Sequence, residues 1–432
     1  MPLFVVCPDE SAADSLRRDL EAMTGEEVLL RNARYFTFVS SVAASRQAEQ
    51  QRIFTLDRLS RGEAPICVAT VSALMQRSIP PEVLRAAAFT LADGGECSPE
   101  ELERALLRNG YTRTEQVEGA GQYARRGGIL DFFSPMYPEP VRVEFWGDDI
   151  DSMGFFDVPS QRRTEQVSEV CILPAAEALI SLSKSGPEAL VSALEAMAAS
   201  CEKRKNSPQQ TALAVTLRQD AERIRSGVRL TDADRYLPLL YEESYGADYI
   251  PETAFVVFDQ PSRCADRGKS YIRILGEDVN ALLKKGMSPA PAERFRMDWD
   301  ALCRRLADFP VYMADAFTVG RYPLEPKTLC SVPAKQLPSY GGSAKTACDD
   351  VKLYLKQGFR VVVLAGDRRR AETLQSFFRE NGVRAMLYPE LESLPGEGSC
   401  VITLGAVSAG AEYPNLRLAV ITASQLQRVR TA

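Results

Sequence analysis

A chain of 432 residues with 45% hydrophobic and 25% charged content is long enough to bury substantial cores and to divide into two to four domains. Its net charge of −6 gives no basic field for wrapping nucleic acid, and the absence of histidine removes the commonest general base, the commonest metal ligand and every Ser-His or Cys-His arrangement, which weighs against hydrolytic catalysis. The ten cysteines are scattered without a CxxC pair, no apolar run reaches membrane length, and the opening Met1 to Pro8 is too short and lacks a basic leader for a secretory signal; reduced thiols, no metal site and a cytoplasmic location are expected.

In chain order, residues 4–8 read as a buried strand, 9–23 as an amphipathic helix, and 28–30 and 66–71 as further strands around a helix near 46–59, a doubly wound α/β pattern. Pro80-Pro81 and Asp93-Gly94-Gly95 punctuate that half, and Ser98-Pro99-Glu100-Glu101 opens a helix running through Leu102, Leu106 and Leu107 to Gly110. A sheet-like stretch follows at 122–157, then a helix-rich stretch from about 186 to 227. Beyond Ala307, Pro323, Pro326, Pro333 and Pro338 with Gly341-Gly342 mark an extended linker. A helix over 343–358, a strand at 361–364, a helix over 368–380 closed by Asn381-Gly382, and strands near 383–388, 401–404 and 418–421 predict a second, small α/β domain.

The stretch 122–157 carries the strongest recognition signal. In Val141-Arg142-Val143-Glu144-Phe145-Trp146, alternation puts Val141, Val143 and Phe145 on one face and Arg142, Glu144 and Trp146 on the other, which should meet solvent. A Trp beside an Arg on a polar face is a pairing that protein interfaces favour; the alternative is that Trp146 is covered by another element of its own domain. Gly147-Asp148-Asp149 offers hairpin-turn chemistry, and Arg125-Arg126-Gly127-Gly128 places two more cations before the apolar run 129–133. The clusters Lys203-Arg204-Lys205, Arg162-Arg163 and Arg368-Arg369-Arg370 read as solvated faces rather than phosphate sites.

The runs YARRGGILDFFSP and PVRVEFWGDDIDSMGFFDVPSQR, followed by Ile172-Leu173-Pro174-Ala175, resemble the second domain shared by the UvrB excision-repair protein and the bacterial transcription-repair coupling factor (Mfd) family. The segments 71–77, 235–241 and 255–259 extend the resemblance over nearly the whole chain. It implies an α/β protein: a degenerate helicase-like (RecA-like) domain 1, in two parts at 1–92 and 179–318, interrupted by a smaller α+β domain 2 with an antiparallel sheet at 93–178, then a linker at 319–337 and a small α/β domain 3 at 338–432. It also implies that Arg126, Arg142 and Trp146 occupy positions of a UvrA-contacting surface, the third being aromatic but often Phe in the family.

A nucleotide site needs glycines that let backbone N–H groups close on phosphates, a Lys, and a Ser or Thr on magnesium. No complete GxxxxGK[ST] occurs; the nearest run, 263–270, has Arg263 where the first Gly is required. The strand 255–258 ending at Asp259 resembles a degenerate Walker B element, but Gln260 replaces the Glu that would orient an attacking water. No catalytic residue and no cofactor are therefore expected in this chain. The resemblance places ATP and magnesium in motor domains outside it, together with the contacts to RNA polymerase and duplex DNA, and implies an intramolecular contact with a C-terminal domain. The expected role is binding, as the UvrA-recruiting part of a DNA translocase of transcription-coupled repair. The alternatives are an excision-repair ATPase or helicase fragment of the UvrB kind and a purely autoinhibitory structural module.

Overall fold

The computed structural model describes residues 1–36, 38, 46–203, 207–317, 322–340 and 343–426. The chain opens with β1 (Leu3–Cys7), α1 (Glu10–Thr24), β2 (Val28–Arg31), α2 (Arg46–Ser60) and β3 (Ile66–Thr70). Strands β1 and β3 are buried almost throughout, so they read as unbroken apolar runs, as parallel strands covered on both faces do. The Thr70 hydroxyl ends β3 by accepting the Ala73 N–H and capping α3 (Val71–Met75), which α4 (Pro81–Ala87) follows.

The antiparallel part comprises β4 (Phe89–Ala92), α5 (Pro99–Arg108), β5 (Thr112–Arg113), β6 (Gln122–Arg126), β7 (Ile129–Phe132), β8 (Val141–Trp146), β9 (Asp149–Phe156), β10 (Arg163–Gln166) and β11 (Glu169–Ile172). Then come α6 (Gly186–Lys203), α7 (Pro208–Arg225), α8 (Leu237–Leu240), β12 (Phe255–Asp259), α9 (Pro261–Lys284), α10 (Trp299–Leu306) and β13 (Val311–Ala314). The last part holds β14 (Lys335–Gln336), α11 (Ala344–Lys356), β15 (Arg360–Leu364), α12 (Arg368–Glu380), β16 (Ala385–Tyr388), β17 (Cys400–Thr403), β18 (Ala411–Tyr413), β19 (Leu418–Thr422) and α13 (Ala423–Leu426). Two compact units result, residues 1–10 with 29–324 and residues 11–28 with 325–432.

The first unit contains a five-stranded sheet in the order β13-β12-β1-β3-β2, with β1 parallel to β3 and β12, and β12 parallel to β13. Into this frame the chain inserts a six-stranded sheet, β10-β9-β8-β7-β6-β5, antiparallel except where β5 meets β6. The chain enters and leaves the insertion along one ribbon, β4 paired antiparallel with β11 from Phe89↔Ile172 to Ala92↔Glu169. That pairing begins four residues before the expected boundary at 93. Helix α5 starts at the expected Ser98, whose hydroxyl and the Glu101 carboxylate form a reciprocal capping box, and it buries Leu102 and Leu106 against the sheet.

Mixed α/β architecture with parallel and antiparallel sheets is what the sequence led us to expect, but several elements were not read from it. Helix α9 is 24 residues long and absorbs the whole run 263–270. Strands β4, β13, β14 and β18 are too short to show a period. Of the cluster at 203–205, Lys203 ends α6, and Arg204 and Lys205 lie outside the described residues. Residues 319–321 of the expected linker and the pair Gly341-Gly342 also lie outside them. The end of the expected linker is the edge strand β14, paired with β18.

The second unit builds a six-stranded sheet in the order β14-β18-β19-β15-β17-β16, with β15 parallel to both β17 and β19. Val361, Val363, Ile402 and Ile421 form its core with Phe378 of α12 and Val351 of α11. Asp19 of α1 accepts the Ser408 N–H and hydroxyl in the same unit.

One buried polar cluster connects segments of the first unit that are far apart in sequence. Glu177 lies just past β11, 1% exposed; it pairs with Arg52 and with Arg34 at 3.2 Å, and accepts the Ser78 hydroxyl at 2.7 Å. Arg34 in turn forks onto Asp234 at 2.8 and 3.0 Å, and Arg52 donates to the Asn32 carbonyl. Burial alone would push the Glu177 carboxyl up, but Arg52 and Arg34 outweigh it and hold the group well below the usual carboxylate range. A carboxyl depressed in the folded state contributes stability that is complete above its unfolded value, about 4.3, and is lost as pH falls through the lower folded value. Glu177→Gln should therefore cost about 3 kcal/mol near neutral pH, because it leaves two buried guanidinium groups undercompensated. In urea melts the gap to wild type should stay constant from pH 7 to 5 and narrow below that. A gap that does not change with pH would contradict this role for the carboxylate.

Candidate protein-docking surface

Register decides which side chains share a face of the inserted sheet. Strand β8 is matched to β7 through Arg142↔Asp131 and Glu144↔Ile129, to β9 through Arg142↔Gly154 and Glu144↔Ser152, and β6 to β7 through Arg126↔Ile129. Residues directly opposite one another lie on the same face. Arg126, Ile129, Asp131, Arg142, Glu144 and Ser152 thus form one outer face, while Val141 and Val143 with Leu130 and Met153 turn inward to the core beneath α5.

Beyond Glu144 the ladder slips. Glu144 is opposite Ser152 but Phe145 is opposite Ile150, so Asp151 is an extra residue with no partner across from it, a β-bulge. The strand continues to Trp146, opposite Asp149, and turns through Gly147, whose φ of 65° suits glycine. Trp146 is 81% exposed, so no other element of the described chain covers it. The Arg126 turn and the Trp146 turn emerge at the same end of the sheet, since β6 and β8 run in the same direction on either side of β7.

Arg142 departs from expectation. Its side chain is 19% exposed and it forks onto Asp131, both N–H···O contacts at 2.8 Å, while Asp131 itself is 7% exposed. A third N–H reaches the Gln161 carbonyl at 3.2 Å, and the guanidinium lies 4.7 Å from the Phe156 ring centroid. The loop that supplies this carbonyl turns at Gln161, where φ is 58°. The reading of Arg142 as a freely solvent-facing residue is therefore corrected, because its donors are engaged within the domain. Arg126 is exposed and spends one N–H on the Glu115 carbonyl at 2.6 Å. Of the outer-face cations, Arg163 pairs with Glu144 at 3.0 Å.

The second candidate region is the C-terminal end of β12. Burial pushes the Asp259 carboxyl above its ordinary value, with Arg263 pulling the other way. Gln260 sits at φ 53° ahead of α9, and its side-chain oxygen accepts from Arg263 at 2.8 Å. Arg263 and Arg267 both reach Asp9, at 3.1 and 3.2 Å. Gly268, the glycine of the near match to a phosphate loop, lies within α9, and a Cβ there would come 2.9 Å from the Trp299 ring. Close packing accounts for that glycine. Among the described residues no group of three or more Cys, Asp or Glu is placed to hold a metal ion, and no helix is long and apolar enough to cross a membrane.

Sequence comparison agrees with the position of the inserted sheet. Residues 89–177 match the family described as the UvrB interaction domain, from the first residue of β4 to the buried Glu177. The transcription-repair-coupling factor of Bacillus subtilis (strain 168) is 26% identical over 99% of the chain and 36% of its own length. That of Myxococcus xanthus is 32% identical over 61% of the chain and 23% of its own length, and that of Staphylococcus haemolyticus (strain JCSC1435) 25% identical over 89% and 32%. The chain is a relative of the transcription-repair-coupling factors. It spans about a third of the length of the curated relatives it matches.

Sequence reasoning missed Asp131 and Gln161 as supports of Arg142, and missed the bulge at Asp151. Asp131 did carry a signal, being the one acid in the apolar run 129–133. The two outer-face residues should respond differently to truncation. Arg142→Ala should lower stability by about 2 kcal/mol because a nearly buried carboxylate loses its partner. Trp146→Ala should stay within about 0.5 kcal/mol of wild type. Equal losses in thermal melts, or a larger loss for Trp146→Ala, would reverse the assignment of support and exposed contact.

Proposed function

We propose that this chain is the N-terminal, UvrA-recruiting module of a transcription-repair coupling factor and acts by binding rather than catalysis, in transcription-coupled nucleotide excision repair. The observation that carries the reading is Trp146, 81% exposed at the tip of a sheet that matches the UvrB interaction domain. Large exposed aromatics with a neighbouring arginine are what anchors a protein interface. Trp146 supplies area, Arg126 supplies a charge-assisted contact, and Arg142 acts as a positioning residue that fixes β8 against β7 through Asp131.

In this reading the parallel sheet is a degenerate helicase-like domain 1, at 1–92 and 179–318, that carries domain 2 at 93–178; a linker at 319–337 leads to domain 3 at 338–432. It binds neither nucleotide nor metal. The engagement of Arg263 with Asp9 and Gln260, and the packing of Gly268 under Trp299, support this. ATP and magnesium, RNA polymerase and duplex DNA belong to other parts of the whole protein, as does a C-terminal domain that covers this surface. The setting is cytoplasmic.

The test is the affinity of the chain for UvrA from the same organism. Arg126→Ala and Trp146→Ala should each weaken it by at least about tenfold, as truncation of interface arginine and tryptophan commonly does. ATP with magnesium should leave the thermal midpoint of the chain unchanged, since a ligand that binds the native state raises it. Wild-type affinity in both variants would contradict the docking surface, and a saturable rise in midpoint would contradict the non-catalytic reading.

A further inference from the structure

Trp146 does not stand on a neutral surface. The groove beside it is lined by Asp93, Gly94, Asp149, Ile150 and Asp151, with Ile150 forming the floor at 2% exposure. Backbone bonds hold the groove together: Gly94 N–H donates to the Ile150 carbonyl at 3.0 Å, Ile150 N–H to the Gly95 carbonyl at 3.1 Å, and Cys97 N–H to the Asp148 carbonyl at 3.0 Å. The segment after β4 thus extends the sheet alongside the tip of β9, with Glu96 opposite Asp149.

Two features of this tip go against stability. Glu96 and Asp149 are carboxylates directly opposite each other on neighbouring strands, a pairing that destabilises a sheet. The bulge adds Asp151 to the same rim. On the outer face of the sheet and on α5, by contrast, Asp131 pairs with Arg142, Glu144 with Arg163, and Glu100 and Glu103 with Arg125. Asp93, Glu96, Asp149 and Asp151 are exposed and have no such ion pair among the described residues. Violations of local rules without internal compensation point to function.

We propose that this groove receives a basic side chain of the docked protein, an arginine that stacks on the Trp146 indole while its N–H groups reach Asp149 and Asp151. The inference rests on the reading of the surface as a UvrA dock and names the chemistry of that contact. A phosphate backbone would be repelled by four carboxylates. A purely apolar segment would strip water from them without return. Arginine satisfies both walls of the groove, since its planar guanidinium stacks on an aromatic face and forks onto carboxylates. The dock is then two-signed, with Arg126 donating from one hairpin turn and the acidic groove accepting beside the other.

Binding of UvrA to the wild-type chain, to Arg126→Ala, and to the double variant Asp149→Asn with Asp151→Asn tests this, at low and at high salt. The double variant removes charge but not shape, and because neither carboxylate has an ion-pair partner among the described residues, its thermal midpoint should equal or exceed that of wild type. It should bind UvrA at least about tenfold more weakly at low salt, with the deficit shrinking as salt rises. Wild-type affinity, or tighter binding, in the double variant while Arg126→Ala is impaired would overturn the groove and leave the dock standing. Absence of UvrA binding by the wild-type chain would overturn the dock itself, and the groove assignment with it.

Discussion

A single buried carboxylate, Glu177, sets the frame on which the exposed surface depends. It meets Arg34 and Arg52 from the first stretch of the chain and Ser78 from the segment between α3 and α4, and through Arg34 it reaches Asp234 from beyond the insertion. Taking these groups out of water is costly, and a well-packed apolar cluster could give as much stability. What apolar contact could not give is direction. The forked arginines accept only a few arrangements of the three segments, so the antiparallel insertion is fixed to the parallel sheet just where its ribbon ends. Tyr241 reinforces the junction by donating to the Glu177 carbonyl and accepting the Leu179 N–H.

With its base fixed, the insertion can present polar and aromatic groups at its far end. Its inner face is sealed by α5 and by the ribbon, and on its outer face the fork between Arg142 and Asp131 ties β8 to β7 at mid-strand. Past Glu144 the ladder slips, where the bulge releases Asp151 and the last pair of β8 and β9 brings Trp146 and Asp149 together. A rigid scaffold ending in exposed turns is a common arrangement for recognition. The parallel sheet has the opposite character at the end of β12, where Asp9, Gln260, Arg263 and Arg267 satisfy one another.

Much of this was legible because it depends on short-range periodicity. The alternation in 141–146 announced an inward apolar face and an outward Trp, and the Ser98 start of α5 followed from capping chemistry. The strand and helix at Arg360–Leu364 and Arg368–Glu380 were visible as an apolar run followed by an amphipathic one. What failed depended on distance. The engagement of Arg142 is not legible in 141–146, because its partner Asp131 is on another strand and the carbonyl it reaches is at Gln161, where the backbone turns left-handed. The Glu177 cluster joins residues 125 positions apart, and its Arg34–Asp234 arm spans 200, which no local pattern encodes. Helix α9 is not legible locally because its run ending Gly268-Lys269-Ser270 carries a mid-helix glycine, which serves a close contact with the distant Trp299.

Hydrogen–deuterium exchange of this chain with and without UvrA tests the central claim most directly, because it locates the contact without altering any residue. The account predicts that UvrA slows exchange at the two hairpin turns, residues 126–129 and 146–151, and leaves α9 and the second unit unchanged. Protection confined to α9, to the end of β12 or to residues 325–426, with the two turns exchanging as in the free chain, would contradict it.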